Sequence, residues 1–342
     1  LSKATRNGQG QPALQDQERE KNTTADQSTT VSAPRTLAYL LALLEAMRPR
    51  QWTKNFAVFI GLVFAQRLFA PIALGRATLA FVAFCLISSC IYLINDLLDL
   101  QRDQQHPVKR LRPLPSGRLP VAWAIAGVAA LLLLCAGLTG SLYALPMQGS
   151  DIFAHLGGAN FLFTFMISAY FIIMVLYSLR LKHIVLIDVF TIASGFVLRI
   201  LAGVVIIPVS ISAWLYLVAS FLALFLALSK RRHELVLLQD QAHAHRQILK
   251  EYSVPMLDQM ITITTTATIL SYSLYTIEGP TLTHPLIITI PFVLYGMFRY
   301  LYLVYIRMEG GSPEEVLLRD RHMLGTVLLC IILIITVLYI VR

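Results

Sequence analysis

Charge is what this chain of 342 residues has little of: Asp, Glu, Lys and Arg make up 14% of it, against 56% hydrophobic residues. Soluble domains carry about 25% charged residues. With a mean hydropathy of +0.67, the soluble class is excluded in favour of a chain that crosses a bilayer several times. Cysteine is also scarce. Cys85, Cys90, Cys135 and Cys330 all fall inside apolar runs, and no CxxC pair occurs. That excludes a disulfide framework or a zinc ribbon and leaves four small buried hydrophobes. Acids are outnumbered 19 to 28 by Lys and Arg, a net charge of +9. In a membrane chain such a surplus is first a topology signal, and its spread over many loops argues against a nucleic-acid partner. Residues 1–35 lack any hydrophobic period and are expected to be a disordered cytosolic tail. With no apolar core near residue 10, no secretory signal peptide is expected.

What is present is a series of apolar runs. A spanning helix needs about 20 apolar residues, and nine segments qualify: roughly 55–74, 77–97, 119–142, 159–178, 184–207, 211–229, 255–278, 284–306 and 322–341. Before them, residues 36–50, ending "TLAYLLALLEAMRPR", carry leucines at helical spacing and predict an amphipathic helix on the membrane surface. The expected fold class is therefore all-α, a polytopic membrane helical bundle with nine transmembrane helices. If the N-terminus is inside, the inner segments 48–54, 98–118, 179–183, 230–252 and 307–321 carry eighteen of the 28 Lys and Arg, whereas the outer segments 143–158, 208–210 and 279–283 carry none. Only Arg76 and Arg342 add charge outside. This asymmetry predicts N-in and C-out. It also places function on the cytosolic face of a multi-pass protein of the cell membrane.

The densest charge lies in "INDLLDLQRDQQHPVKRLRPLPSGRL", residues 94–119. Asn95, Asp96, Asp99 and Asp103 form N-D-x-x-D-x-x-x-D. On a continuous helix the three aspartates fall within roughly 60° of one another. Three carboxylates on one face repel unless a cation sits between them, and hard oxygen ligands of this kind suit Mg²⁺ that also binds phosphates. The motif continues directly from "CLISSCIYLI", a setting where ionisable groups are costly and usually functional.

This motif, at the inner end of a second span, resembles that of the UbiA superfamily of intramembrane prenyltransferases. So does "YSLRLKHIVLIDVFTIASGFVLRILAG" (177–203), and the matches together cover residues 48 to about 321. The resemblance implies a UbiA-like catalytic domain over residues 51–342, with Mg²⁺ held by Asn95, Asp96, Asp99 and Asp103 against a diphosphate, the three aspartates being the catalytic residues. The family's second aspartate-rich motif, after the sixth helix, is replaced here by "LALSKRRHELVLLQD" (226–240). Ammonium and guanidinium groups offer no lone pair to a metal but bind anionic oxygen directly. One half of the pocket should therefore hold Mg²⁺ and the other bare phosphate.

That pattern is similar to a branch of the superfamily that transfers phosphoribose from phosphoribosyl diphosphate (PRPP) to a polyprenyl phosphate such as decaprenyl phosphate. "RPRQWTKN" (48–55), "HPVKRLRPLPSGRL" (106–119), "KRRHEL" and "EEVLLRDR" (314–321) carry the similarity. It implies Lys54, Lys109 and Arg110 around the diphosphate and Lys230 and Arg231 on the 5-phosphate, the two ends being interchangeable. Glu234 would accept a ribose hydroxyl or orient Lys230. Lys182, Tyr252, Arg299 and Arg319 join the substrate-binding set, although an interfacial role fits Tyr252 equally, snorkelling fits Arg299, and plain positive-inside charge fits Arg319. The branch serves cell-wall arabinan. Homo-oligomerisation stays open.

Arg199 is expected well inside the fifth span, about 16 Å along the helix from Asp188, too far for a direct pair. An ion pair with other helices is expected for each. Two rival readings remain. A conventional aromatic prenyltransferase using a prenyl diphosphate needs the second acidic cluster that the basic run replaces. An anion or lipid transporter would place its charges near the midplane, whereas here they concentrate at one face.

Overall fold

A computed structural model describes residues 35–147, 149–210, 212–237, 247–278, 285–311 and 313–340. The expected tail, apart from Arg35, and the expected outer segment 279–283 lie outside the described residues. Those residues form helices and turns, with no strand among them.

The first helix, α1 (Arg35–Ala46), is shorter than expected: Arg48 adopts a left-handed φ of 54° and Pro49 follows, so the chain turns before residue 50. Ala42 and Ala46 are buried, and α1 packs on α3 (Pro71–Leu98) and α5 (Val121–Ser141). Leu37, Leu40, Leu41 and Leu44 are exposed on its outer side. Arg118 clamps the end of α1 by donating two hydrogen bonds, 2.8 and 2.9 Å, to the Glu45 carboxylate.

The first expected span, 55–74, is not one helix. Residues Pro49–Phe59 form a 3₁₀ helix that runs into α2 (Ile60–Phe64), and a turn through Gln66, at a φ of 56°, precedes α3. A 3₁₀ helix rises about 2.0 Å per residue, so these 16 residues cover about 30 Å, the thickness of a hydrocarbon core. The 3₁₀ helix also packs closely. Val58 lies so near α7 (Ile187–Ile206) that a Cβ on Gly203 would stand 1.9 Å from the Val58 carbonyl oxygen.

Seven helices are long and apolar enough to cross a membrane: α3, α5, α6 (Ala159–Leu179), α7, α8 (Ala213–Leu237), the unit Pro285–Tyr305 ending in α10 (Ile290–Tyr305), and α12 (Arg321–Tyr339). Seven replaces the expected nine on that criterion. Besides the broken first span, α9 (Val254–Glu278) has 25 residues but is too polar to qualify. Its hydroxyls are satisfied within the helix: Thr264, Thr265 and Thr268 each donate to the carbonyl four residues back. The short α4 (Leu100–Gln105) and α11 (Pro313–Arg319) lie between longer elements.

α7 sits centrally, packed against α6, α8, α2 and the 3₁₀ helix. At the end remote from the acidic motif, Arg76 is buried rather than exposed as a loop charge. It donates to the carbonyls of Ile206, Leu142, Leu145 and Pro146 and to the Asn160 side chain, drawing the ends of α5, α6 and α7 together. The acidic motif, the Leu181–His183 turn and the end of α8 line one cavity at the other end.

Gly203→Ala is expected to lower thermal stability in detergent by about 3 kcal/mol or more, since overpacking at a closely packed site typically costs 1–3 kcal/mol and the obstructing atom here is backbone. Gly75→Ala, which meets nothing within 4 Å, should leave the melting temperature unchanged.

Candidate active site

The acidic motif does not ride on one uninterrupted helix. α3 ends at Leu98, and Asp99 (φ −94°, ψ 9°) joins it to α4. The backbone still pairs across the joint, Asp99 N–H to Asn95 carbonyl at 2.9 Å and Asp103 N–H to Asp99 carbonyl at 2.8 Å. The bend separates the carboxylates. Asp96 and Asp103 share Arg112, whose Nη1 lies 3.3 Å from Asp96 Oδ1 and 2.7 Å from Asp103 Oδ2. Asp99 faces another way and takes both its hydrogen bonds, each 3.1 Å, from Lys182 Nζ.

A cavity of about 820 Å³ opens here. Asn95, Asp99 and Asp103 line one side of it, with Arg102 and Lys109. Lys54 and Arg48 come from the 3₁₀ segment and the turn before it, Tyr177 from the last turn of α6, Lys182 and His183 from the α6–α7 connection, and Lys230 and Glu234 from α8. Arg199, Tyr170, Phe196 and Ser88 line its deeper part. The fold thus brings Lys54, Asn95, Asp99, Asp103, Lys109, Lys182, Lys230 and Glu234 to one cavity.

The other candidates lie elsewhere. Asp96 is 1% exposed and stands behind the wall, its Oδ1 taking a 2.6 Å bond from Arg48 as well as the contact from Arg112. Two guanidinium groups already neutralise it, so it holds Arg48 and Arg112 in place rather than offering an oxygen to the cavity. Arg110 is exposed outside the cavity. Arg231 is 2% exposed; it pairs with Asp188 at 2.5 Å and with Glu234. Tyr252 is buried and donates to Asp188 at 2.6 Å while accepting the Leu186 N–H at 2.8 Å. Burial, followed by the bond to Asp188, pushes its hydroxyl pKa up. Asp188, Arg231 and Tyr252 form a buried brace between α7, α8 and the turn before α9. Arg299 and Arg319 line a separate cavity of about 550 Å³ with His233, Arg307 and Asp320. There Arg299 grips Asp320 with two bonds, 3.2 and 2.7 Å, and Asp320 caps α12 by accepting the Met323 N–H.

Arg48 and Arg112 were not singled out from the sequence, although both lie within the motifs quoted above. The available signal was position: each precedes a proline, and Arg112 closely follows the acidic run. Asn55, fully buried against Arg199, gave no pattern to read.

Among the described residues, no three His, Cys, Asp or Glu side chains converge closely enough to enclose a metal. The donor set does fit a cation that draws further ligands from a substrate. Asn95, Asp99 and Asp103 line one cavity, and Asp103, though only 1% exposed, keeps a buried Oδ1 that accepts no hydrogen bond, with Lys109 Nζ at 3.3 Å. Mg²⁺ is commonly held in this way, by one or two carboxylates plus phosphate oxygens.

An all-helical membrane bundle with a mixed acidic and basic cavity at one end defines a class. The chain belongs to the UbiA prenyltransferase family, whose model matches residues 55–314. Its curated relatives include the decaprenyl-phosphate phosphoribosyltransferase of Corynebacterium glutamicum, 33% identical over 294 residues, covering 82% of this chain and 81% of that protein. The enzyme of the same name from Mycobacterium tuberculosis is 30% identical over 297 residues, covering 82% and 88%. Among solved structures, a UbiA homolog from Archaeoglobus fulgidus bound to GPP and Mg²⁺ superposes with a TM-score of 0.62 at 18% identity, covering 87% of this chain and all of that one. This likeness shows the shared fold.

Asp188→Asn keeps an acceptor for Tyr252 but removes the charge beside buried Arg231. It should destabilise the protein by about 3 kcal/mol, with much of the loss recovered in the Asp188→Asn/Arg231→Met double variant, as read by thermal unfolding. At the second cavity, the Arg299 guanidinium holds the Asp320 carboxyl below its ordinary value of 3.8. A depressed folded-state pKa stabilises above the unfolded value and loses that effect as pH falls through the folded one. The melting-temperature gap between wild type and Asp320→Asn should therefore be constant near neutrality and close below about pH 3.8.

Proposed function

We propose that this chain transfers 5-phosphoribose from PRPP to a polyprenyl phosphate of the decaprenyl phosphate type, releasing diphosphate, at the cytosolic face of the cell membrane. The observation that carries the reading is that Lys230 lines the same cavity as Asn95, Asp99 and Asp103. A UbiA-type prenyltransferase is expected to place acids where α8 here carries Lys230, Arg231 and Arg232. The names of the curated relatives point the same way. In this reading the 3₁₀–α2 unit and α9 supply the eighth and ninth crossings, and the basic ends of the helices face the cytosol.

Asn95, Asp99 and Asp103 are the residues that would hold Mg²⁺, which when bound neutralises the leaving diphosphate. Asp96 acts through Arg48 and Arg112, holding both beside the cavity. Lys182 and Lys109, now paired with Asp99 and Asp103, are placed to turn towards incoming phosphate oxygen. Lys54 adds charge at the same wall. Lys230 takes the 5-phosphate, braced from behind by the Arg231–Asp188 pair, and Glu234 accepts a ribose hydroxyl.

A lipid phosphate oxygen is already an anion, so no general base is needed. The residues must bring two repelling anions together in line. The carboxylates near C1 favour positive charge developing on the ribosyl carbon, and displacement inverts C1, giving a β-linked ribosyl phospholipid. The membrane location follows from the acceptor: taking an isoprenoid out of the bilayer costs about 0.8 kcal/mol per CH₂.

Purified protein with Mg²⁺ should incorporate label from PRPP into a polyprenyl phosphate, but should incorporate none from a prenyl diphosphate into an aromatic acceptor. Incorporation from the prenyl donor alone would overturn the assignment. Lys230→Ala and Asp99→Asn should each lower kcat/KM at least 100-fold, and EDTA should abolish turnover.

A further inference from the structure

Arg199 is 6% exposed and about 18 Å along α7 from Ile187, yet it reaches the floor of the main cavity. Its bonded partners are all neutral. Nε donates to Asn55 Oδ1 at 2.8 Å, Nη1 to the Gly195 carbonyl at 2.7 Å and Nη2 to the Tyr170 hydroxyl at 2.6 Å. Three of the five guanidinium N–H groups are thereby used, leaving one on each terminal nitrogen. The other arginines of the site region differ. Arg231, Arg232, Arg48 and Arg112 each meet a carboxylate. Arg76, also deeply buried, sits over helix C-termini, where carbonyl ends supply partial negative charge. Among the described residues, no carboxylate pairs with Arg199.

The surroundings hold this cation in a fixed pose. The guanidinium carbon lies 4.7 Å from the Tyr170 ring centre and 5.5 Å from that of Phe196. Asn55 is itself anchored, its Nδ2 donating to Cys85 Sγ and Ser88 Oγ. Gly195 lets the approach happen: a Cβ there would meet Tyr170, Met174 and Arg199 Nη1 at 3.0–3.6 Å. A charge buried at this depth is costly unless compensated, and such residues mark ligand sites. Here the rigid support, the two remaining donors and the missing counter-charge all belong to one cavity wall.

We propose that Arg199 is a phosphate-monoester subsite at the cavity floor, completed when a substrate supplies the dianion. The proposal deepens the phosphoribosyl-transfer reading and rests on it for the identity of the ligands. Both proposed substrates carry such a group, PRPP at its 5-position and the polyprenyl acceptor at its head. The guanidinium fork binds two phosphate oxygens at once; if PRPP is the source, Arg199 shares the 5-phosphate with Lys230, and if the acceptor is, Arg199 holds its head while Lys230 keeps the 5-phosphate.

The test is equilibrium binding to detergent-purified protein in EDTA, using ribose 5-phosphate and geranyl phosphate as separate probes and ribose and geraniol as their uncharged controls. Arg199→Gln should weaken one monoester at least tenfold and leave its control unchanged; the probe that responds names the source. Arg199→Lys, which keeps the charge and loses the fork, should fall between the two, and in turnover should raise KM for the same substrate with kcat held within about threefold. Should Arg199→Gln fail to fold, the Arg199→Lys measurements decide alone. Unchanged affinity for both monoesters in whichever variant folds overturns the subsite, as does an equal loss for the uncharged controls. These binding measurements stay readable if wild-type protein proves unable to transfer phosphoribose, so failure of the subsite and failure of the activity are told apart.

Discussion

The structure depends on opposite charges being paired at the edge of a low-dielectric bundle. An isolated carboxylate or guanidinium in such a place costs several kcal/mol, so each buried acid near the cavity draws a cation from a different segment. Arg48 reaches Asp96 from before the 3₁₀ helix, Arg112 spans Asp96 and Asp103 from the following loop, Lys182 reaches Asp99 from the α6–α7 turn, and Arg231 meets Asp188 across α7 and α8. These pairs tie together elements that hydrophobic packing alone would let slide. They also divide the charged residues into two groups: those locked behind the wall, and those whose oxygens or ammonium heads reach the cavity.

That division bears on chemistry. Asp96, Asp188 and Arg231 are spent on architecture, and they orient Arg48, Arg112 and Glu234. Asn95, Asp99, Asp103, Lys182 and Lys230 are left facing the cavity. Lys182 and Asp99 stand at this boundary, paired with each other at 3.1 Å while both line the cavity. Arg199 extends the same logic to the floor, where a fixed cation has only neutral acceptors.

Much of the fold was legible in the sequence, because crossing a bilayer requires long apolar runs that show plainly in composition. All seven long apolar helices fall on runs identified that way. The two departures have local causes. The first run was read as one helix from its hydropathy, yet it is a 3₁₀ helix packed closely on α7 at Gly203 and continued by a short α-helix, and no single-segment period carries that information. In α9 the threonines look apolar enough in context only because each hydroxyl is bonded back into its own helix. At the site, the charged residue types could be read, but the sorting of Asp96 from Asp99 could not. It arises from a bend at Asp99 that an ideal helical wheel does not contain.

The sequence by itself determined the membrane class, the uneven distribution of Lys and Arg between alternate loops, and the basic run Lys230, Arg231 and Arg232 after the sixth apolar run. These are properties of composition and order, which act one segment at a time. Only the tertiary structure decided which charges line the cavity and which face each other behind it. That choice depends on distances between helices far apart in the chain: Arg199 meets Asn55 across 144 residues and Lys182 meets Asp99 across 83. In a low-dielectric interior, a few ångströms of such distance separate a structural ion pair from a binding group.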